Sequence, residues 1–114
     1  MEQVFWGRVP LASATAFLRF DSRGSVQHML HVLKYKNDLA VGQELGERFG
    51  RELARSQRFA TVDALIAVPL HPRKEHARGF NQSRVIADGI RESWPIGEAH
   101  HALQRVVDTP SQTK

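Results

Sequence analysis

Between Pro69 and Gln82 the chain reads Pro-Leu-His-Pro-Arg-Lys-Glu-His-Ala-Arg-Gly-Phe-Asn-Gln. Three cations, Arg73, Lys74 and Arg78, stand there against a single acid, Glu75. A helical pattern opens at Gln82, with Asn81 in the position of an N-cap. Free backbone N–H groups and the helix dipole favour anions at such an end. Gly79 gives the backbone freedom to come close to a phosphate. Arg73, Lys74, Arg78, Gly79, Asn81 and Gln82 therefore form a candidate phosphate or pyrophosphate site. The plainer alternative is a solvated basic loop ahead of an ordinary helix start.

Other chemistries find less support. The chain has no cysteine, which removes disulfides, iron–sulfur clusters and thiolate zinc sites. His28 and His31 stand three apart on a helical stretch, but two ligands without a third bind a metal weakly. No metal site is expected. His71 and His76 stand among the basic residues, either bracketing a phosphate, or with His71 as a general base, or simply exposed. His100 and His101 read as surface. Tyr35 beside Lys36 is a fragment of what single-strand nucleic-acid binding uses, although packing of a turn explains it better. Neither a Gly-rich nucleotide fingerprint nor a nucleophile elbow is present.

The elements that position these residues follow from periodicity. Ala12 to Phe20 alternates, with Ala14, Ala16, Leu18 and Phe20 on one side, which predicts a half-buried strand before a turn at residues 21–24. A shorter strand over Val4–Val9 would precede it. Val26, Met29, Leu30 and Leu33 repeat on one helical face, with Ser25 as the cap. Asp38 caps a second helix, Leu39 to about Ser56, with i, i+4 pairs Glu44–Arg48, Glu47–Arg51 and Arg48–Glu52 on its wet face. Gly42, Gly46 and Gly50 lie four apart in it and predict close packing, here against a sheet. Ala64 to Val68 is continuously apolar and predicts a central parallel strand covered on both faces. Pro69 to Gly79 reads as a polar loop, followed by a helix from Gln82 to Ser93 that Pro95 blocks. In open α/β sheets ligands bind beyond the carboxyl ends of the strands, which is where the basic loop falls.

The whole chain has 114 residues, 41% of them hydrophobic and 25% charged. That suits one globular domain rather than a disordered chain. No stretch of 18 apolar residues occurs, so no membrane-spanning helix and no membrane partner is expected. No signal-peptide pattern opens the chain, and a cytoplasmic location is the default. The net charge of +4 is modest. It allows weak, mainly electrostatic contact with single-stranded nucleic acid.

Several strings resemble one family. Val68-Pro69-Leu70-His71-Pro72-Arg73, followed by Arg78-Gly79-Phe80-Asn81-Gln82-Ser83, is similar to the ComF/GntX-type phosphoribosyltransferase family. Phe5-Trp6-Gly7-Arg8-Val9-Pro10-Leu11 resembles its opening segment, and Leu33-Lys34-Tyr35-Lys36 its Leu-Lys-Tyr element. Leu103, Arg105, Thr109 and Gln112 resemble its Leu-x-Arg-x-x-x-Thr-x-x-Gln stretch. The resemblance runs through nearly the whole chain in order, and the Arg-Gly-Phe-Asn-Gln element is its most specific part.

The resemblance implies a type I phosphoribosyltransferase fold, nucleotide or nucleoside metabolism, and 5-phosphoribosyl-1-diphosphate (PRPP) as donor, with Mg²⁺ in the intact family enzyme. Pyrophosphate contact maps onto Pro69–Arg78. Arg105, Thr109 and Gln112 would open the mobile loop over the site. The family's alternative association, competence for DNA uptake, implies an accessory module that binds a partner protein or single-stranded DNA. Two adjacent acids followed by Thr-Thr-Gly mark the type I donor site, and this sequence has neither. The expectation is a single, truncated α/β domain over residues 1–114. Its N-terminal antiparallel strands would lead to helices around a parallel sheet, with the PRPP-loop half missing. Such a fragment would not turn over PRPP and would bind no metal alone. It would self-associate through the surface left bare.

Overall fold

The computed structural model describes residues 7–18, 24–99 and 102–110. Helix α1 spans Ser25–Tyr35, α2 Leu39–Arg55, α3 Pro72–Arg78 and α4 Gln82–Ser93. Two short strands, β1 (Ala64–Leu65) and β2 (Gly97–Glu98), pair in parallel, and a 3-10 turn covers Gln57–Phe59. The α/β expectation, with N-terminal antiparallel strands and helices around a parallel sheet, is therefore overturned. Among the described residues the chain is mostly helical, and its sheet is a two-stranded ribbon in the register Ala64↔Gly97, Leu65↔Glu98.

The reason lies in the glycines of α2. Gly42, Gly46 and Gly50 are buried, and they pack against α4 rather than a sheet. A Cβ on Gly46 would overlap the Ile86 carbonyl oxygen and come within 2.9 Å of the Ile90 nitrogen. A Cβ on Gly89 of α4 would in turn overlap the Gln43 carbonyl oxygen. The two backbones touch, so α4 occupies the face where a sheet was expected. Ser93 Oγ donates to the Glu47 carbonyl at 2.6 Å and fastens the far end of the pair. Leu53 from α2 and Ala87 and Ile90 from α4 are buried around this seam, and Leu33 of α1 is buried against Gly42.

The apolar run from Ala64 pairs only through Leu65. Ile66 is 44% and Val68 62% exposed, so this segment is not a covered central strand. Past Leu65 the chain leaves the ladder, and the Val68 carbonyl accepts instead from Asn81 Nδ2 at 3.0 Å. Asn81 also caps α4, its Oδ1 accepting from the Ser83 N–H at 3.0 Å. One side chain thus ties the exit of β1 to the entry of α4. Asn81→Ala removes both bonds and is expected to cost about 1–2 kcal/mol. Asn81→Asp keeps the cap and should lose about half as much, as read from urea denaturation. No loss in Asn81→Asp would deny the tie to Val68.

The stretch expected to be a polar loop contains α3. Its signals are local: Pro72 at the first turn, His71 Nδ1 accepting from the Arg73 N–H at 3.3 Å, and Gly79 left-handed at φ 88° as the stop. Asp38 precedes α2 as expected, without a side-chain cap bond, while α1 starts at Ser25 itself, behind Gly24. Arg48 pairs with Glu44 at 2.7 Å and Arg51 with Glu47 at 2.5 Å, as the spacing predicts. Glu52 turns to Arg55 at 3.6 Å instead of Arg48. No strand forms over residues 12–18. There Phe17, on the side opposite to the expected face, stacks on Phe49 at 5.1 Å. The expected strand over Val4–Val9, the Phe5–Trp6 part of the opening segment, Phe20, the turn at 21–23, His100, His101 and Gln112 fall wholly or partly outside the described residues. No helix among the described residues is long and apolar enough to cross a membrane.

Candidate anion-binding cleft

The end of α1, the body of α3, the first residue of α4 and residues 105–110 meet around one open cleft of about 790 Å³. Lys34, Lys74, Arg78 and Arg105 supply four cations to its lining, with Tyr35, Gln82 and Thr109 beside them. Among the described residues no carboxylate lines it, although Asp108 lies 3.8 Å from Lys74. Like charges gathered on one concave surface raise the local positive potential and attract anions.

Each cation is placed by a local cause. Lys74 and Arg78 are i, i+4 on α3, so they share a face. Lys34 ends α1, where its ammonium lies 5.0 Å over the Tyr35 ring. The His31 ring lies tilted against the Tyr35 ring, with 4.7 Å between centroids. Arg105 comes from an exposed segment without helix or strand.

The cations differ in how far they are compensated. Lys74 lies 3.8 Å from Asp108 and also donates to the Thr109 carbonyl. Arg78 is half-buried, and Arg105 is exposed. Neither has an ion pair or a hydrogen bond among the described residues. A half-buried guanidinium is costly to leave without a counter-charge, which makes Arg78 a candidate to pair with an anion.

The residues expected to bind pyrophosphate thus divide. Lys74, Arg78 and Gln82 line the cleft, joined by Arg105 and Thr109 of the expected mobile loop. Arg73 points into solvent, 83% exposed, with Asp108 4.0 Å away. Gly79 ends α3, its N–H donating to the Glu75 carbonyl at 2.7 Å. Asn81 is engaged in the cap and the tie to Val68. At the start of α4 the Ser83 amide is committed to Asn81 Oδ1, and the Arg84 and Val85 amides to the Asn81 carbonyl. What these elements offer an anion is therefore mainly side chains. His71 is the cap of α3, and His76 is exposed in its last turn.

Lys34 was visible in the sequence only through the Leu-Lys-Tyr resemblance, and Tyr35 through that and its place beside Lys36, since nothing in the α1 pattern aims them at α3. A second feature carried no sequence signal at all. Glu98 of β2 has a side chain only 6% exposed, held by Arg91 at 2.7 Å and Arg84 at 3.7 Å. Arg91 Nε also donates to the Ile96 carbonyl at 3.1 Å. This cluster pins the ribbon to α4 and forms part of a smaller pocket of about 380 Å³ that shares Leu70 and Arg105 with the cleft.

Mg²⁺ is a hard cation that takes oxygen ligands, usually with one or two carboxylates. Among the described residues the cleft lining offers cations and no carboxylate, so these residues do not fit it. Among the described residues no three His, Asp or Glu side chains gather as a metal site. No protein-family model matches the chain, and no curated protein or solved structure matches it significantly.

Proposed function

We propose that the cleft between α1, α3 and residues 105–110 binds the diphosphate of a PRPP-type ligand, in a phosphoribosyltransferase-related protein of nucleotide metabolism. One observation carries this reading. Lys34, Tyr35, Leu70, Arg78, Gln82, Arg105 and Thr109, drawn from separate strings of the family resemblance, line a single cleft. Residues far apart in the chain share one concave surface, and the charge they bring suits a polyanion.

The chemistry is electrostatic. When a ribosyl group is transferred, the bond from its anomeric carbon to the diphosphate breaks and the departing oxygen takes the electron pair. Fixed cations around that diphosphate stabilise the charge as it develops. Here Lys74, Arg78 and Arg105 face such a group, and Gln82 and Thr109 add hydrogen-bonding capacity. Positioning of the ribose needs further groups. The 114 residues contain no adjacent acids and no Thr-Thr-Gly run, so the activity assigned to this chain is diphosphate binding rather than completed transfer. Calorimetric titration with pyrophosphate, then with PRPP as competitor, tests it. Saturable binding of both to a common site is expected, with sulfate weaker at matched ionic strength. Heat of dilution only would overturn the reading.

Tyr35 favours a second reading, a nucleic-acid-binding accessory module. It is 59% exposed at the cleft, contrary to the turn packing expected from sequence. An exposed aromatic beside cations suits a stacked base. With so few cations in the cleft, binding of single-stranded DNA should be weak and fall steeply as salt rises. Fluorescence titration at several salt concentrations measures this. Tight binding that survives physiological salt would instead make the module reading the better one.

A further inference from the structure

Residues 105–110 lie in an exposed segment without regular structure, yet they form one wall of the cleft. The contacts that hold them to α3 are few and specific. Asp108 lies 3.8 Å from Lys74 and 4.0 Å from Arg73, and the Lys74 ammonium donates to the Thr109 carbonyl. Lys74, a cleft cation, is therefore occupied by the chain's own carboxylate and carbonyl. Arg73 and Lys74 are adjacent on α3, so one acid bridges both.

We propose that Asp108 is an internal counter-ion that latches residues 105–110 onto α3, and that a diphosphate releases this latch by taking Lys74 for itself. This rests on the diphosphate reading of the cleft. In the latched state Lys74 is satisfied by Asp108 and Thr109. In the ligand-bound state its ammonium turns to a phosphate oxygen, and both contacts to the segment are given up. The segment is then free to move while Arg105, which has no internal partner among the described residues, follows the anion. The competition has two consequences. Affinity is held below what the four cations would give alone, and binding is reported by motion of the wall.

Removal of the Asp108 charge is the test. Asp108→Asn leaves a side chain of the same size and abolishes the competitor. Exposed ion pairs are weak, so pyrophosphate should bind about three- to five-fold tighter. Glu92→Gln, which removes an equal charge from an exposed position on α4 outside the cleft, controls for net charge and should change affinity less than about 1.5-fold by the same screening. The chain lacks cysteine, so Val107→Cys gives a single labelling position on the segment, at a residue 62% exposed. Pyrophosphate should lower the anisotropy of a dye placed there. With Asp108→Asn added, the anisotropy should start low and stay low.

Unchanged affinity in Asp108→Asn, with normal binding by the unaltered chain, overturns the latch and leaves the cleft reading standing. So does equal tightening in Glu92→Gln. If neither protein binds pyrophosphate, the cleft reading fails and the latch falls with it.

Discussion

Gly46→Ala should unfold this protein at a markedly lower urea concentration, with a loss of about 2–4 kcal/mol. Ala is the better helix former by about 1 kcal/mol, so propensity alone predicts a gain. Packing decides otherwise. The new methyl would overlap the Ile86 carbonyl oxygen and approach the Ile90 nitrogen and the Gly89 Cα, all of them backbone atoms. Backbone does not rotate away as a side chain does, so α2 and α4 must separate along their length. Overpacking a core typically costs about 1–3 kcal/mol, and more where the neighbours cannot yield. Gly42→Ala is the internal control. There the methyl meets only Val85 Cγ1 at 2.8 Å and the Leu33 Cδ atoms, the nearer at 2.9 Å. Those side chains can shift, so the loss should be under about 1.5 kcal/mol. Equal stability of Gly46→Ala and the unaltered chain would refute the backbone contact between α2 and α4.

Arg78→Ala should cut pyrophosphate affinity by about 10- to 100-fold, the range of a lost charge-assisted hydrogen bond. Its stability should stay within about 0.5 kcal/mol of the parent, as for a side chain without structural partners. The two readouts separate because Arg78 has no ion pair or hydrogen bond among the described residues. Arg78→Lys should recover part of the affinity, since an ammonium keeps the charge but not the planar fork that grips two oxygens at once. Arg73→Ala supplies the contrast. Arg73 is 83% exposed and outside the lining, so its removal should change affinity less than about three-fold. A large loss in both variants would mean that general charge, not the cleft, attracts the anion.

Helical periodicity and end signals were the most legible part of the sequence. Asn81 and Pro95 marked the limits of α4 because capping and chain-breaking act locally, and Asp38 marked the start of α2 by position, without a side-chain cap bond. Similar signals flanked α3, with Pro72 at its start and Gly79 at its end, but the density of charge between them suggested a loop. The identity of packing partners was not legible. The spacing of Gly42, Gly46 and Gly50 showed that something comes close, not that it is α4. The apolar run Ala64–Val68 asked for cover on both faces, yet pairing stops at Leu65 and Val68 faces solvent. An apolar run states a preference for burial, and long-range packing decides whether it is met. At the cleft, charge and resemblance picked out Lys74, Arg78, Gln82, Arg105 and Thr109. The expected share of Gly79 and Asn81 rested on free amides, and local hydrogen bonds already occupy the Gly79 and Ser83 amides.

The most direct measurement is amide and side-chain chemical-shift mapping of the whole chain during a pyrophosphate titration. The account predicts saturable shifts grouped on Lys34, Tyr35, Lys74, Arg78, Gln82, Arg105 and Thr109, with the Arg78 guanidinium among the largest. It predicts little change at the exposed pairs of α2, Glu44–Arg48 and Glu47–Arg51. Shifts spread evenly over the surface cations, or confined to α2, would contradict the central claim that this cleft is a diphosphate site.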